Sequence, residues 1–345
     1  MTDIAIYGPL KQTETGPSAV TRGIVDGLAD IGHDVTLYTA GDDEHSRAHT
    51  VAIPGSLDSV PNYFRTKRRA AKLIEANDHE LFHSLTGLMH GSDVQTVQGI
   101  FADLQMIMWS PQIINPREFI GANIYSLLKT PGYHLAEKLV AISPFVANQS
   151  RKFIRRNPDR IIPLGVYDSF RRPPENGASN NILIPGLVAP IKGTHRILQH
   201  LDPQDDRFTV DICGSIQDST YVKKFPEWKH RLHGYVDDIG EYFEKADIVL
   251  IPSEHDNYPT TAIEAAGRGC VVIVTDTCGF STFEEVRECD GIFVVSNGEE
   301  MAKTLNTLLE NNIYDEKKSA YDLSANMTWR STAEQYHGIY QEVLA

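Results

Sequence analysis

Apolar positions along the chain come in short runs that alternate with amphipathic stretches. DIAIYG at residues 3–8 is an apolar run of strand length, and the loop PLKQTETGPS follows it. Apolar residues then recur at helical spacing from about Ser18 to Asp30, with Ser18 suited to the N-cap, until Gly32 stops them. HDVTLYTA is the next strand, so the chain opens β-loop-α-β, an order that calls for a parallel sheet with right-handed crossovers. The pattern continues with a helical stretch at 62–76, strands in HELFHSL and SDVQTVQGI, helices around 117–137, the strand EKLVAIS and a closing strand RIIPLGV. RRPPENGASNN at 171–181, rich in Pro, Gly and Asn, reads as a linker. A second series follows it: NILIPGL, FTVDICGS, RLHGYV, ADIVLIPS, GCVVIVT and GIFVVS, with helical patterns between. A chain of 345 residues exceeds one ordinary core. The expected α/β architecture is therefore two Rossmann-like, doubly wound parallel-sheet domains facing across a cleft.

Composition narrows the function. The formal net charge of −14 argues against a nucleic-acid partner, because phosphate neutralisation needs a basic face. No apolar run approaches the roughly 18 residues of a membrane span, and MTDIAIYGP enters a strand without a basic signal start, so a cytoplasmic location is expected. Cys213, Cys270, Cys278 and Cys289 lack C-x-x-C spacing and read as buried thiols. Nearly all of the negative charge lies after residue 170, while the first half keeps two basic clusters. NYFRTKRRAAKLIEA carries Arg65, Lys67, Arg68, Arg69 and Lys72 beside Tyr63, Phe64, Leu73 and Ile74. It reads either as a surface helix packed on the sheet or as a basic amphipathic helix for anionic lipid. RKFIRRNPDR at 151–160 is the second cluster.

In parallel sheets ligands bind where strands run out into loops and helices begin. After ADIVLIPS the chain reads EHDNYPTTAIEAAGRG, with Pro259 suited to a first helical position and Gly267 or Gly269 to the end. Amides near Thr260 and Thr261 then form a site for an anion such as a diphosphate. Asp256 precedes that helix start and Glu264 lies one turn inside it. Each could simply complement the helix or meet solvent, but Glu264 among Ala262, Ile263, Ala265 and Ala266 calls for a partner such as ribose or sugar hydroxyls. Asp205-Asp206 and Asp237-Asp238 lack the D-x-D spacing of a metal-binding transferase motif, and no metal is expected.

The run PSEHDNYPTTAIEAAGRGCVVIVTDTCGF resembles the signature of family-4 retaining glycosyltransferases of GT-B fold (glycosyl transferases group 1), with its acidic pair spaced E-x7-E. PGLVAPIKG resembles the segment carrying that family's phosphate-binding lysine, RIIPLGVYDSF its interdomain strand, and MTWRSTAEQYHGIY its closing helix. The resemblance implies a first domain over 1–165, a nucleotide-sugar domain over 166–326, and a helix over 327–345 that returns to the first. It implies donor contacts at Gly16, Lys192, Gly214, Asp256, Asn257, Tyr258, Pro259, Thr260 and Glu264, with Asp256, Lys192 and Gln98 as the catalytic set. The donor is expected to be UDP- or GDP-linked, the acceptor a glycan or lipid-linked acceptor, and the reaction to need no cofactor. Two positions depart from the pattern: Leu187 follows Gly186 where an arginine is usual, and Gln98 stands where a histidine is usual. His83 is a further candidate for sugar or acceptor contact. The departures keep two other readings open, a nucleotide-sugar epimerase of the same fold and a non-catalytic partner subunit.

Overall fold

The computed structural model describes residues 1–10, 16–40, 43–55, 60–100, 129–177, 179–186, 188–216 and 223–345. They divide into two units, one of residues 1–165 with 328–345, the other of residues 166–327.

The first unit is built on seven strands: β1 (Asp3–Tyr7), β2 (Asp34–Ala40), β3 (His49–Ile53), β4 (Leu81–Ser84), β5 (Val94–Val97), β6 (Lys138–Ala141) and β7 (Arg160–Ile161). Their order is β3-β2-β1-β4-β5-β6-β7, every pair parallel. β1 after Asp3 and all of β5, including the polar Gln95 and Thr96, are buried because parallel strands are covered on both faces. β3 escapes a pattern search, since as an edge strand it buries only Ile53 fully. The expected closing strand RIIPLGV pairs only over Arg160–Ile161, both exposed at the other edge.

Helix α1 (Gly16–Asp30) packs against the C-terminal helix Trp329–Leu344. Glycine makes this possible: a Cβ on Gly23 would lie 2.1 Å from the Trp329 ring, and one on Gly27 2.3 Å from the Trp329 carbonyl. A capping box starts the C-terminal helix, with the Thr328 hydroxyl accepting from the Ser331 amide and the Ser331 hydroxyl from the Thr328 amide. Ser18, expected as an N-cap, is instead a buried residue inside α1. Helix α2 (Val60–Glu75) buries Thr66, Ala70 and Ile74, the last two against Ala5, Tyr38 and Ile53. Phe64, Arg65, Arg68, Arg69 and Lys72 remain exposed. Lys67 departs from its assignment to that basic face: its Nζ turns 2.6 Å from His90 Nε2, and burial pulls its pKa down to about 8. In the second basic cluster Arg156 is half-buried, donating to the carbonyls of Tyr133, His134, Ala136 and Glu137.

The second unit contains β8 (Asn181–Pro185), β9 (Thr209–Cys213), β10 (Leu232–Gly234), β11 (Ile248–Ile251), β12 (Val271–Thr275) and β13 (Ile292–Val295). All pairs are parallel, in the order β10-β9-β8-β11-β12-β13. β11 and β12 are buried from end to end. Below them Asp247 accepts from Ser179 and Asn181 and pairs with Lys317 at 2.8 Å, which anchors the end of the linker. The order of strands reverses between β8 and β11, so the loops that leave their carboxyl ends diverge and open a crevice.

Candidate donor site

That crevice holds the residues singled out in the second half of the sequence. After β8, Gly186 at φ +113° turns the chain into a short 3₁₀ turn, Pro190–Lys192, which Gly193 closes at φ +67°. A Cβ on Gly193 would stand 2.0 Å from the Pro252 carbonyl oxygen, so only glycine lets this loop lie against the end of β11. The Glu254 amide donates to the Ile191 carbonyl at 2.9 Å and fastens the two loops. Lys192 is thereby held beside Asp256, with Nζ 2.5 Å from Oδ2. The carboxylate is 12% exposed and the lysine 34%, so the pair sits at a partly dry mouth and not on open surface. The other oxygen of Asp256 accepts from the Tyr258 amide at 3.1 Å.

Helix α3 (Thr260–Gly267) begins four residues beyond Asp256. Pro259, expected at the first helical position, is its N-cap, and no side chain caps that end. A helix start carries unpaired amides and a partial positive charge, here aimed along the loop that holds Asp256. Ala262, Ile263, Ala265 and Ala266 are buried, while Thr260, Thr261 and Glu264 form the half-buried stripe of α3. Glu264 therefore lies one turn below the anion-favouring end, on its only polar side. Gly269 at φ +68° ends the helix and returns the chain to β12. Tyr258 offers backbone alone: its ring is buried near Phe280 and Phe283, and burial pushes the hydroxyl pKa upward. Asn257 beside it is half-buried.

Along the same edge, Gly186, Gly214 and Gly234 end three neighbouring strands with positive φ. The Gly186 amide donates to Cys213 and the Gly214 amide to Gly234, at 2.8 and 2.7 Å. Exposed Ile216 and Tyr235 follow them. Cys213, Cys270 and Cys278 are buried free thiols and Cys289 is half-buried. Among the described residues, no group of three or more His, Cys, Asp or Glu is placed to hold a metal ion.

Candidates in the first unit fare differently. Gln98 follows β5, half-buried, and donates to the Leu85 carbonyl at 3.1 Å. Gly16 is the exposed first residue of α1, with open space where a Cβ would stand. His83 is not a ligand contact: it is fully buried, with Nδ1 2.7 Å from the Tyr340 hydroxyl and Nε2 2.8 Å from Thr96 Oγ1. Burial drives its pKa to about 3, so it is a neutral core residue. Leu187 lies outside the described residues. One group the sequence reading did not single out is the loop after β12. Its Thr277 carbonyl accepts from the Asp256 amide at 3.3 Å, and its Gly279 amide donates to the Asp256 carbonyl at 2.7 Å.

Residues 168–326 match the family model of glycosyl transferases group 1, a span that fills nearly all of the second unit. No curated protein matches the sequence. Among solved structures, sucrose-phosphate synthase from Thermosynechococcus elongatus superposes with a TM-score of 0.79 at 16% identity over 99% of both chains. WaaG, a glycosyltransferase involved in lipopolysaccharide biosynthesis, gives 0.77 at 16% identity over 98% of this chain and 99% of that one. HepE of Anabaena, in complex with UDP-glucose, gives 0.68 at 15% identity over 99% of this chain and 100% of that one. At these identities the structures establish the fold, and that fold is GT-B. The resemblance to group 1 glycosyltransferases read from the sequence is borne out.

Proposed function

We propose that this chain, whose residues 168–326 match glycosyl transferases group 1, moves a sugar from a nucleotide diphosphate sugar to a glycan or lipid-linked acceptor with retention of anomeric configuration. The observation that carries this reading is the Lys192–Asp256 pair at the β8/β11 switch, beside the start of α3. A diphosphate entering there meets a lysine and a helix N-terminus, the two groups best suited to a leaving anion. As the donor phosphates draw Lys192 toward themselves, Asp256 becomes available for sugar hydroxyls, while Glu264 holds the ribose.

In the transfer step the bond from the anomeric carbon to the phosphate oxygen breaks and the acceptor oxygen bonds to that carbon on the same face. The acceptor proton passes to the departing phosphate, so neither a protein base nor a metal ion is required. Catalysis is then positional and electrostatic. The donor is UDP- or GDP-linked; HepE, which shares the fold, is in complex with UDP-glucose and makes uridine conjugates the first choice. Incubation with UDP-glucose and GDP-mannose, reading release of UDP or GDP, tests the proposal. Release that survives Lys192→Ala would disprove the leaving-group role.

The exposed Phe64, Arg65, Arg68, Arg69 and Lys72 on α2 support a second element of the reading, docking of the first unit on the cytoplasmic face of an anionic membrane where a lipid-linked acceptor for polysaccharide or glycolipid synthesis resides. Among the described residues no helix is long and apolar enough to cross a membrane. Co-sedimentation with vesicles containing phosphatidylserine, unchanged in the double variant Arg68→Glu, Arg69→Glu, would remove that element.

A further inference from the structure

We infer that the loop after β12 positions Asp256 for sugar recognition, with Thr277 as its key positioning residue. The inference rests on the donor site proposed above. The two loops run side by side as a parallel bridge between Asp256 and Cys278. Below the bridge, the buried carbonyl of Ser253 lies 2.7 Å from Thr277 Oγ1 and 2.6 Å from Thr275 Oγ1.

Counting protons fixes the direction of each bond. A carbonyl oxygen has two lone pairs and a hydroxyl one proton, so both threonines donate to Ser253. The 3.1 Å approach of the two hydroxyls is then not a second donation by Thr277. Thr275 Oγ1 keeps its accepting capacity, and Cys278 Sγ lies 3.4 Å away. Burial pushes that thiol's pKa up to about 12, so its proton is present to donate. The network closes: Cys278 to Thr275, Thr275 to Ser253, Thr277 to Ser253.

Asp256 lies three residues after Ser253, and two attachments of that loop bear on it. One is the Lys192 segment, fixed through Gly193 and Ile191. The other is the Thr277 loop, fixed at the Asp256 backbone and at Ser253. Lys192 can leave Asp256 for a diphosphate; the Thr277 attachment is independent of it and keeps the carboxylate in place when Lys192 departs. Thr277 should therefore act on sugar recognition, which uses Asp256, and leave diphosphate recognition, which uses Lys192, unaltered.

The test is calorimetric, with UDP and UDP-glucose, and GDP and GDP-mannose, as paired probes. Whichever pair the native chain binds, Thr277→Val should weaken the sugar conjugate roughly three- to tenfold relative to its nucleoside diphosphate, the cost of one buried hydrogen bond. Thr277→Ser, which keeps the hydroxyl, should restore the ratio. A parallel loss for both ligands would mark Thr277 as merely structural and overturn the inference, as would an unchanged ratio. Native protein that binds neither pair would remove the donor site itself, and this inference with it. If Thr277→Val does not fold, Thr277→Ala, which removes the same hydroxyl with a smaller side chain, is judged by the same ratio.

Discussion

Gly193→Ala tests the geometry that brings Lys192 to Asp256, because it changes no functional group. The added Cβ meets two obstacles. The φ of +67° is a left-handed conformation that costs an L-residue about 1–2 kcal/mol. The Cβ would also stand 2.0 Å from the Pro252 carbonyl oxygen, where contacts under 3.0 Å are essentially never seen, so the loop must withdraw by about 1 Å. Pro252 is backbone at the end of a fully buried strand and cannot yield as a flexible side chain would. The movement falls on the Lys192 side, where it opens the 2.5 Å contact with Asp256. A misplaced lysine loses a charge-assisted hydrogen bond to the diphosphate, about 1.5–3 kcal/mol, or roughly ten- to a hundredfold in affinity. Titration calorimetry with a nucleoside diphosphate reads this directly. Thermal unfolding should fall by only a few degrees, because the strain is confined to one loop. Wild-type affinity in Gly193→Ala would refute the claim that this glycine sets the lysine.

Two further predictions concern the first unit. His83 stays neutral in the fold with its pKa at about 3, whereas in the unfolded chain it titrates near 6.5, so the unfolded state binds the extra proton between those values and stability falls as pH drops through that window. Urea unfolding at pH 7 and pH 5 should show a loss of up to about 1.4 kcal/mol per pH unit from this group. His83→Gln, which does not titrate, should flatten the slope; an identical slope in the variant would contradict the assignment. Gly23→Ala places a methyl group 2.1 Å from the Trp329 ring and should destabilise the packing of α1 against the C-terminal helix by about 1–3 kcal/mol, read as an earlier unfolding transition and faster proteolysis near residue 328. An unaltered transition would show that this seam tolerates a side chain.

Much of the fold was legible because parallel strands covered on both faces write themselves as short apolar runs, as β8, β11 and β12 do. β3 was not, since an edge strand with one buried residue carries no such run. Asp256 and Glu264 could be found from their placement around a helix start. Lys192 could be named only through the resemblance: it is 64 residues from Asp256, and the two meet because the strand order reverses between β8 and β11. His83 shows the opposite failure. At the end of a strand it looks like a ligand contact, and its full burial against Thr96 and against Tyr340, 257 residues away, identifies it as a core residue. Lys67 misleads in the same way, because helical periodicity places it with its basic neighbours but not its Nζ, which turns to His90. Thr277 went unnoticed because its importance lies in a carbonyl and a hydroxyl that serve another loop.

The central claim is that the β8/β11 crevice holds a nucleotide sugar. Calorimetric titration of the purified chain with UDP, GDP, ADP and their common sugar conjugates, repeated with Glu264→Ala, tests it most directly. The account predicts one-to-one binding of one nucleotide and its conjugate, lost in the variant because the ribose has no carboxylate to hold it. An absence of binding across the panel, or binding that Glu264→Ala leaves intact, would contradict it.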